Sequence, residues 1–277
     1  MTTETEFLEQ LQGAIASNRI TLPTLPEVAL RVRDEVDRED TTAARIAEMV
    51  ATDAALSARL LQVANSPLYR GRVAIDSIQM AVTRLGMKLV RSLVISLAMK
   101  QIFQATNALL DQRLRTLWEE SVQVAAFSRI LAQGLPHLDK EQAMLAGLIH
   151  NIGSLPILTM AESFAEFMHD GERLDLLVEH LSPTISKQIL ETWGFPESLI
   201  RVAENYQNLE YDGGAEADYA DVVIVARLQT LSDQHAAAQA DWSRVPSFQK
   251  VGIEPEIEMI EIEGVAEDVE GIKAVFL

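Results

Sequence analysis

The segment from Gly86 to Phe103 constrains the fold most. Leu89, Val90, Leu93, Val94, Leu97 and Ile102 leave a helix there with almost no polar face. Such a helix is stable only when other elements enclose it. The segment therefore predicts the buried centre of the first half of the 277-residue chain, and its neighbours must turn apolar faces towards it.

The neighbours have that character. Thr24-Leu25-Pro26-Glu27 reads as a capping box with proline in the first turn, opening a helix with Val28, Val32 and Val36 on one face. A helix over 42–50 turns Ile46, Ala47 and Val50 inward. Asp53 caps another that carries Leu56, Leu60, Leu61 and Ala64, and Asn65-Ser66-Pro67 stops it. After a polar connector at 105–111, a helix over 113–133 ends at Leu135-Pro136. Asp139-Lys140-Glu141-Gln142 opens the apolar helix 143–149.

Short helices are expected at 162–169 and 172–180. Ser182-Pro183 reads as the cap of a further helix ending at Trp193-Gly194, and Phe195-Pro196 opens the next. Tyr211-Asp212-Gly213-Gly214 is a loop. Val222-Val223-Ile224-Val225 is strand-prone, but Ala226, Leu228 and Leu231 favour a buried helix. Beyond Pro255 the chain is strongly acidic. Ile257, Ile260, Val265, Val269, Ile272 and Phe276 recur there at helical spacing, with Gly264 and Gly271 weakening the pattern. With 48% hydrophobic but only 5% aromatic residues, an all-α fold of two packed helical subdomains, 1–108 and 109–277, is expected.

Charge and residue inventory narrow the chemistry. The net charge of −18, from 23 basic and 41 acidic residues, repels phosphate backbones and anionic lipid. Neither nucleic acid nor membrane is an expected partner. Arg84, Lys88 and Arg91 lie close together but read as solvated helix-face charges. Without cysteine, disulfides and thiolate chemistry are excluded. The Met1–Glu6 segment lacks the basic and apolar regions of a signal peptide. No stretch reads as a spanning helix, so a cytoplasmic location is expected. No glycine-rich phosphate loop or nucleophile elbow is present. Glu166 and His169 are three apart, as in di-iron bundles, but no second such pair exists. His137 and His235 read as exposed loop or helix-end residues.

His150 differs, because it stands in Ala146-Gly147-Leu148-Ile149-His150-Asn151-Ile152-Gly153. This segment resembles the His-Asp-Ile-Gly signature of the HD superfamily of metal-dependent phosphohydrolases. The resemblance extends to Leu22-Pro23-Thr24-Leu25-Pro26-Glu27-Val28-Ala29, to Asp53–Leu61 with Ala64-Asn65-Ser66-Pro67-Leu68-Tyr69, to Ala81–Gly86 and to Thr192-Trp193-Gly194-Phe195-Pro196. These blocks stand in the order of the HDOD domain, a helical relative of HD hydrolases in bacterial signalling, and together cover about residues 20–235.

In the HD motif the histidine–aspartate pair holds a divalent metal that activates water for attack on phosphorus. The resemblance implies four ligand positions, and they fall on Glu120, His150, Asn151 and Arg227. An amide brings no charge to offset metal dehydration, and a guanidinium has no acceptor. Further ligand positions used by some relatives carry Ser182, Asn205 and Tyr206. The expectation is therefore no cofactor, no catalytic residue and a vestigial metal site, with Arg227 paired to Glu120 beside His150 and Asn151. The loop of Asn65, Ser66, Pro67 and Tyr69 is either a capped turn packed on the core or a ligand-facing or partner-facing surface opposite His150. The implied function is a non-catalytic signalling module that binds a protein partner. A nucleotide ligand and a homodimer are compatible with it. Two alternatives stay open: a residual phosphohydrolase using Glu120 and His150, and a structural dimerisation scaffold.

Overall fold

The computed structural model describes residues 4–17, 23–69, 71–103, 108–232 and 235–277. Among them no strand is present. The first half holds α1 (Glu4–Ala16), α2 (Glu27–Val36), α3 (Ala43–Ala51), α4 (Ala54–Ala64), α5 (Ile78–Leu85) and α6 (Met87–Ile102). The second holds α7 (Ala108–Gln133), α8 (Lys140–Ile149), α9 (Ser154–Ala161), α10 (Ala165–Met168), α11 (Gly171–Thr192), α12 (Glu197–Asn205), α13 (Tyr219–Leu228), α14 (Pro246–Val251) and α15 (Val265–Phe276).

The α6 segment is enclosed as its composition demands: residues 92–99 are all buried. It packs against α2 on one side and α8 on the other. One continuous apolar core therefore runs from Phe7 to Phe276. At the other contacts between the halves, Trp193 Nε1 donates to Pro23 O (2.9 Å) and Arg33 Nη1 donates to Trp193 O. Phe7 of α1, a helix with no expectation from the sequence, packs edge-on to Phe167 and tilted to Phe164.

Local chemistry explains most boundaries. Thr42 accepts from Arg45 N, and Asp53 accepts from Leu56 N. Ile46, Ala47 and Val50 are buried as expected. Asp139 accepts from the backbone of Glu141 and Gln142 and opens α8. The strand-prone 222–225 run is helical, in α13, and every α13 residue from Ala220 to Leu228 is buried.

Several expectations are corrected. Thr24 does not cap α2, because Pro26 takes the N-cap position and makes no side-chain cap bond. The buried α2 face carries Ala29, Val32 and Glu35, while Val28 and Val36 are only partly buried. The helix expected at 113 begins at Ala108, and the rest of the connector, 105–107, lies outside the described residues. Ser182-Pro183 caps nothing, since α11 runs unbroken through it. Packing of Leu181, Ile185 and Ile189 into the core holds the helix together across the proline. Pro183 has no N–H to give the carbonyl of Glu179, so that turn lacks one helical bond. In the acidic segment, Val265, Val269, Ile272 and Phe276 are buried in α15, but Ile257 and Ile260 are exposed. Finally, Lys140–Ala161 is long and apolar enough to cross a membrane by composition. Of its most apolar 18-residue stretch 94% is buried inside the protein, and the turn at 150–153 divides the segment. Its apolarity serves the core.

Candidate functional site

α7 and α8 pack so closely that their approach sets the site. A Cβ on Gly147 would lie 2.7 Å from Ala125 Cα and 2.8 Å from Ser128 Oγ. Only glycine lets the end of α8 reach α7, and that end delivers His150. A similar approach follows at once. A Cβ on Gly153 would lie 2.5 Å from both Ser182 O and Ser186 N of α11. The turn 150–153 is thus clamped between α7 and α11.

His150 is 4% exposed. Its Nδ1 sits 2.6 Å from Gly147 O, so Nδ1 carries the proton and the neutral ring leaves Nε2 as a free acceptor. Its ring meets Tyr206 edge-on, with centroids 4.6 Å apart. Asn151 is also buried, and its Oδ1 accepts from Ser121 Oγ of α7 (3.0 Å). Ser182 Oγ lies 3.1 Å from Ser154 Oγ and 3.4 Å from Asn151 O. Gly153 N donates to Ser186 Oγ (2.8 Å). These buried hydroxyls satisfy the polar groups of the turn without any charge.

The charge comes from elsewhere. Arg227 of α13 is buried, and its guanidinium lies over the Tyr206 ring, 5.6 Å from the centroid. Its Nη2 is 3.3 Å from Glu179 Oε1. His235 Nε2 is 3.2 Å from the same oxygen. Because His235 Nδ1 accepts from Ala237 N (3.1 Å), neutral His235 carries its proton on Nε2 and donates it to Glu179.

The expected Arg227–Glu120 pair is therefore corrected: the arginine's carboxylate is Glu179. Glu120 sits one helical position from Ser121, exposed as a residue. Burial of its carboxyl, and then the charge of Asp175, hold it above the usual carboxylate range, and Arg227 only partly opposes this. Arg227 is thus close enough to be felt by Glu120 but is paired on α11. The structure brings His150, Asn151 and Arg227 into one region with Tyr206, and leaves Glu120 at its edge.

Glu179 and His235 were missed from the sequence. Glu179, Ser182 and Ser186 follow spacings of three and four, one face of a helix. That signal was legible only if the helix was read through Pro183. His235 caps a short 3-10 turn at Ala236–Gln239, and nothing in its local sequence marks it. Glu166 pairs with Arg173 (3.5 Å). Among the described residues no group of three or more His, Asp or Glu side chains could hold a metal ion. One neutral imidazole, an amide and a guanidinium do not fit a catalytic divalent metal.

The 65–69 loop lies elsewhere. Asn65 Nδ2 donates to Leu61 O and Ile75 O, and its Oδ1 accepts from Ile75 N. Ser66 Oγ is buried and Pro67 is exposed. Tyr69 donates its hydroxyl to Glu141 Oε2 (3.2 Å). Glu141 starts α8 and His150 ends it, about 13 Å apart at helical rise. The loop is a turn packed on the far end of α8, not a wall opposite His150.

Burial, with a smaller contribution from the charge of Arg227, pushes His150 down from an ordinary 6.5 to about 3. Between these values only the unfolded chain binds the proton. Stability from this group is complete above pH 6.5 and is lost as pH falls towards 3, by at most about 1.4 kcal/mol per pH unit. His150→Asn keeps a donor for Gly147 O and cannot titrate. Urea unfolding from pH 7 to 4 should show a shallower loss in this variant than in the wild type. Identical slopes would refute the assignment.

These features define a helical protein of HD type. The HDOD domain family matches residues 22–209, and the chain belongs to that family. A protein from Shewanella amazonensis SB2B, provisionally assigned as a metal-dependent phosphohydrolase, is 33% identical, with a TM-score of 0.84 over 100% of both chains. An HDOD domain protein of unknown function from Geobacter sulfurreducens is 21% identical, with a TM-score of 0.67 and 99% of each chain covered. At that identity the likeness shows fold alone. An uncharacterised protein of Treponema pallidum (strain Nichols) is 22% identical over 251 residues, which is 86% of this chain and 47% of the relative. The chain thus spans about half the length of the curated relative it matches.

Proposed function

We propose that the chain is a non-catalytic regulatory module of bacterial signal transduction. In this reading it acts in the cytoplasm by binding a protein partner, and its HD-type pocket has lost its metal ligands. One observation carries the reading: the position that should supply the late aspartate is Arg227, and its guanidinium is held in place by an ion pair with Glu179 (3.3 Å). A metal entering beside it would meet a fixed positive charge and one neutral imidazole. The buried hydroxyls around Asn151 support the same view, since they satisfy the turn without a cation.

Membership of the HDOD family supports a signalling role. The second reading, a metal-dependent phosphohydrolase using Glu120 and His150, draws its support from the provisional assignment of the Shewanella relative.

Elemental analysis of the purified chain, followed by hydrolysis of a generic phosphodiester with manganese added, separates the two. Substoichiometric metal and no hydrolysis above buffer are expected. One transition metal per chain, lost in His150→Ala, would overturn the proposal in favour of the hydrolase.

A further inference from the structure

The most unusual surface lies away from the HD-type pocket, in the segment between α14 and α15. Residues 254–270 carry eight carboxylates and no basic residue. Glu254, Glu256, Glu258, Glu261, Glu263, Glu267, Asp268 and Glu270 are all exposed. Among the described residues only Glu270 has an ion-pair partner, Lys273 (2.9 Å). Three isoleucines share this surface: Ile257 at 41% exposure, Ile260 at 43% and Ile262 at 38%. Three large β-branched residues at that exposure within six positions of one segment are more apolar display than a solvated loop needs, which is a mark of an interaction surface.

The segment is held firmly while it displays them. Met259, at 1% exposure, plugs into the core. The Gln229 side chain clamps the backbone on both sides of Glu258: its Nε2 donates to Ile257 O (3.0 Å) and its Oε1 accepts from Met259 N (3.0 Å). A short 3-10 turn over Met259–Glu261 then sends Ile260 outward. The isoleucines are presented by an ordered strap, so little conformational freedom remains to be lost on docking.

Charge decides the occupant. A nucleic acid or an anionic membrane would be repelled by the unpaired carboxylates. A second copy of this chain carries the same −18 net charge. Pairing the strap with a different patch of that copy, such as exposed Val73 beside Arg72, would be a head-to-tail contact and not a self-complementary one. A basic, amphipathic segment of another protein satisfies both halves of the surface. Its apolar side covers the isoleucines, and its lysines or arginines meet the carboxylates.

We propose that the 254–263 strap is a docking surface for a basic amphipathic helix or arm of a partner protein. This rests on the preceding reading only in expecting a protein partner. It holds whether or not the pocket takes a metal, so the two sets of measurements fail separately.

The test uses the full chain and defined peptides. A Lys/Leu peptide patterned as an amphipathic helix is titrated by fluorescence anisotropy, beside a Lys/Ser peptide of equal charge and a Glu/Leu peptide of equal apolarity. The Lys/Leu peptide should bind, more weakly as salt rises, and the two controls should bind at least about tenfold less tightly. The triple variant Ile257→Ser, Ile260→Ser, Ile262→Ser should weaken Lys/Leu binding by at least about tenfold with an unchanged melting profile. Should the triple variant melt early, Glu258→Gln with Glu261→Gln carries the same test, with a shallower salt dependence expected. Unchanged binding in the variants, or equal binding of the Lys/Ser peptide, would sink the proposal. Wild-type self-association that the triple variant abolishes would instead assign the surface to a second copy.

Discussion

Gly153→Ala should cost about 3 kcal/mol or more and lower the melting temperature by about 10 °C. The new methyl would sit 2.5 Å from Ser182 O and Ser186 N. Both are backbone atoms of a 22-residue helix, so no side chain can swing aside to admit it. Relief requires α11 to move away from the 150–153 turn, which separates the serine cluster from Asn151 and shifts Glu179 relative to Arg227. Gly271→Ala is the matched control. It lies within α15 with nothing inside 4 Å of the added carbon, and should be neutral or stabilising by up to about 1 kcal/mol. Thermal melts of the two variants, side by side, test the clamp. A Gly153→Ala protein that melts with the wild type would mean that the approach of α11 is looser than described.

Glu141→Ala should be comparably damaging, for electrostatic rather than steric reasons. Arg129, at 5% exposure, reaches Glu141 through two nitrogens: Nη2 at 2.9 Å and Nε at 3.1 Å from Oε1. Tyr69 completes the group, with its hydroxyl on Glu141 Oε2 and its ring 5.8 Å from the guanidinium carbon. Deleting the carboxylate strands a buried cation, at a cost of about 3–5 kcal/mol. Replacing both partners together, Arg129→Met with Glu141→Leu, removes the charge as well and should recover most of that loss. Denaturant midpoints for the two singles and the double give the coupling directly. A single variant within experimental error of the wild type would show that Arg129 finds water when Glu141 is gone.

The parts of the fold legible in the sequence are those where local chemistry and burial agree. The Asp53 cap, the inward set of Ile46, Ala47 and Val50, and the enclosed α6 all follow from spacing and side-chain hydrogen bonding. The 221–231 segment was resolved by weighing Ala226 and Leu228 against strand-prone valines, and α13 is helical. Errors arose where distant contacts override a local rule. Proline at 183 normally ends a helix, yet the core face of α11 carries it through. Isoleucines at 257 and 260 match a helical period, yet Met259 takes the core position and turns them outward.

The site shows the same division. The framework of His150, Asn151 and Arg227 was visible from motif positions alone. The arginine's partner was not, because Glu120 and Glu179 are equally acidic and only the relative placement of α7, α11 and α13 selects between them. The 65–69 loop carried suggestive residue types, but its hydrogen bonds are spent on Leu61, Ile75 and Glu141. Sequence shows which groups are present, and only packing shows which are already engaged.

The Arg227–Glu179 pair has one further consequence. The cation beside His150 is bonded into the chain, so it cannot be chelated, exchanged for another element or diluted away. A pocket held together by a bound ion reports on the supply of that ion. Under the proposed reading this one keeps its charge arrangement through scarcity and excess alike, and is sensitive instead to whatever competes for Glu179 or displaces the guanidinium from Tyr206.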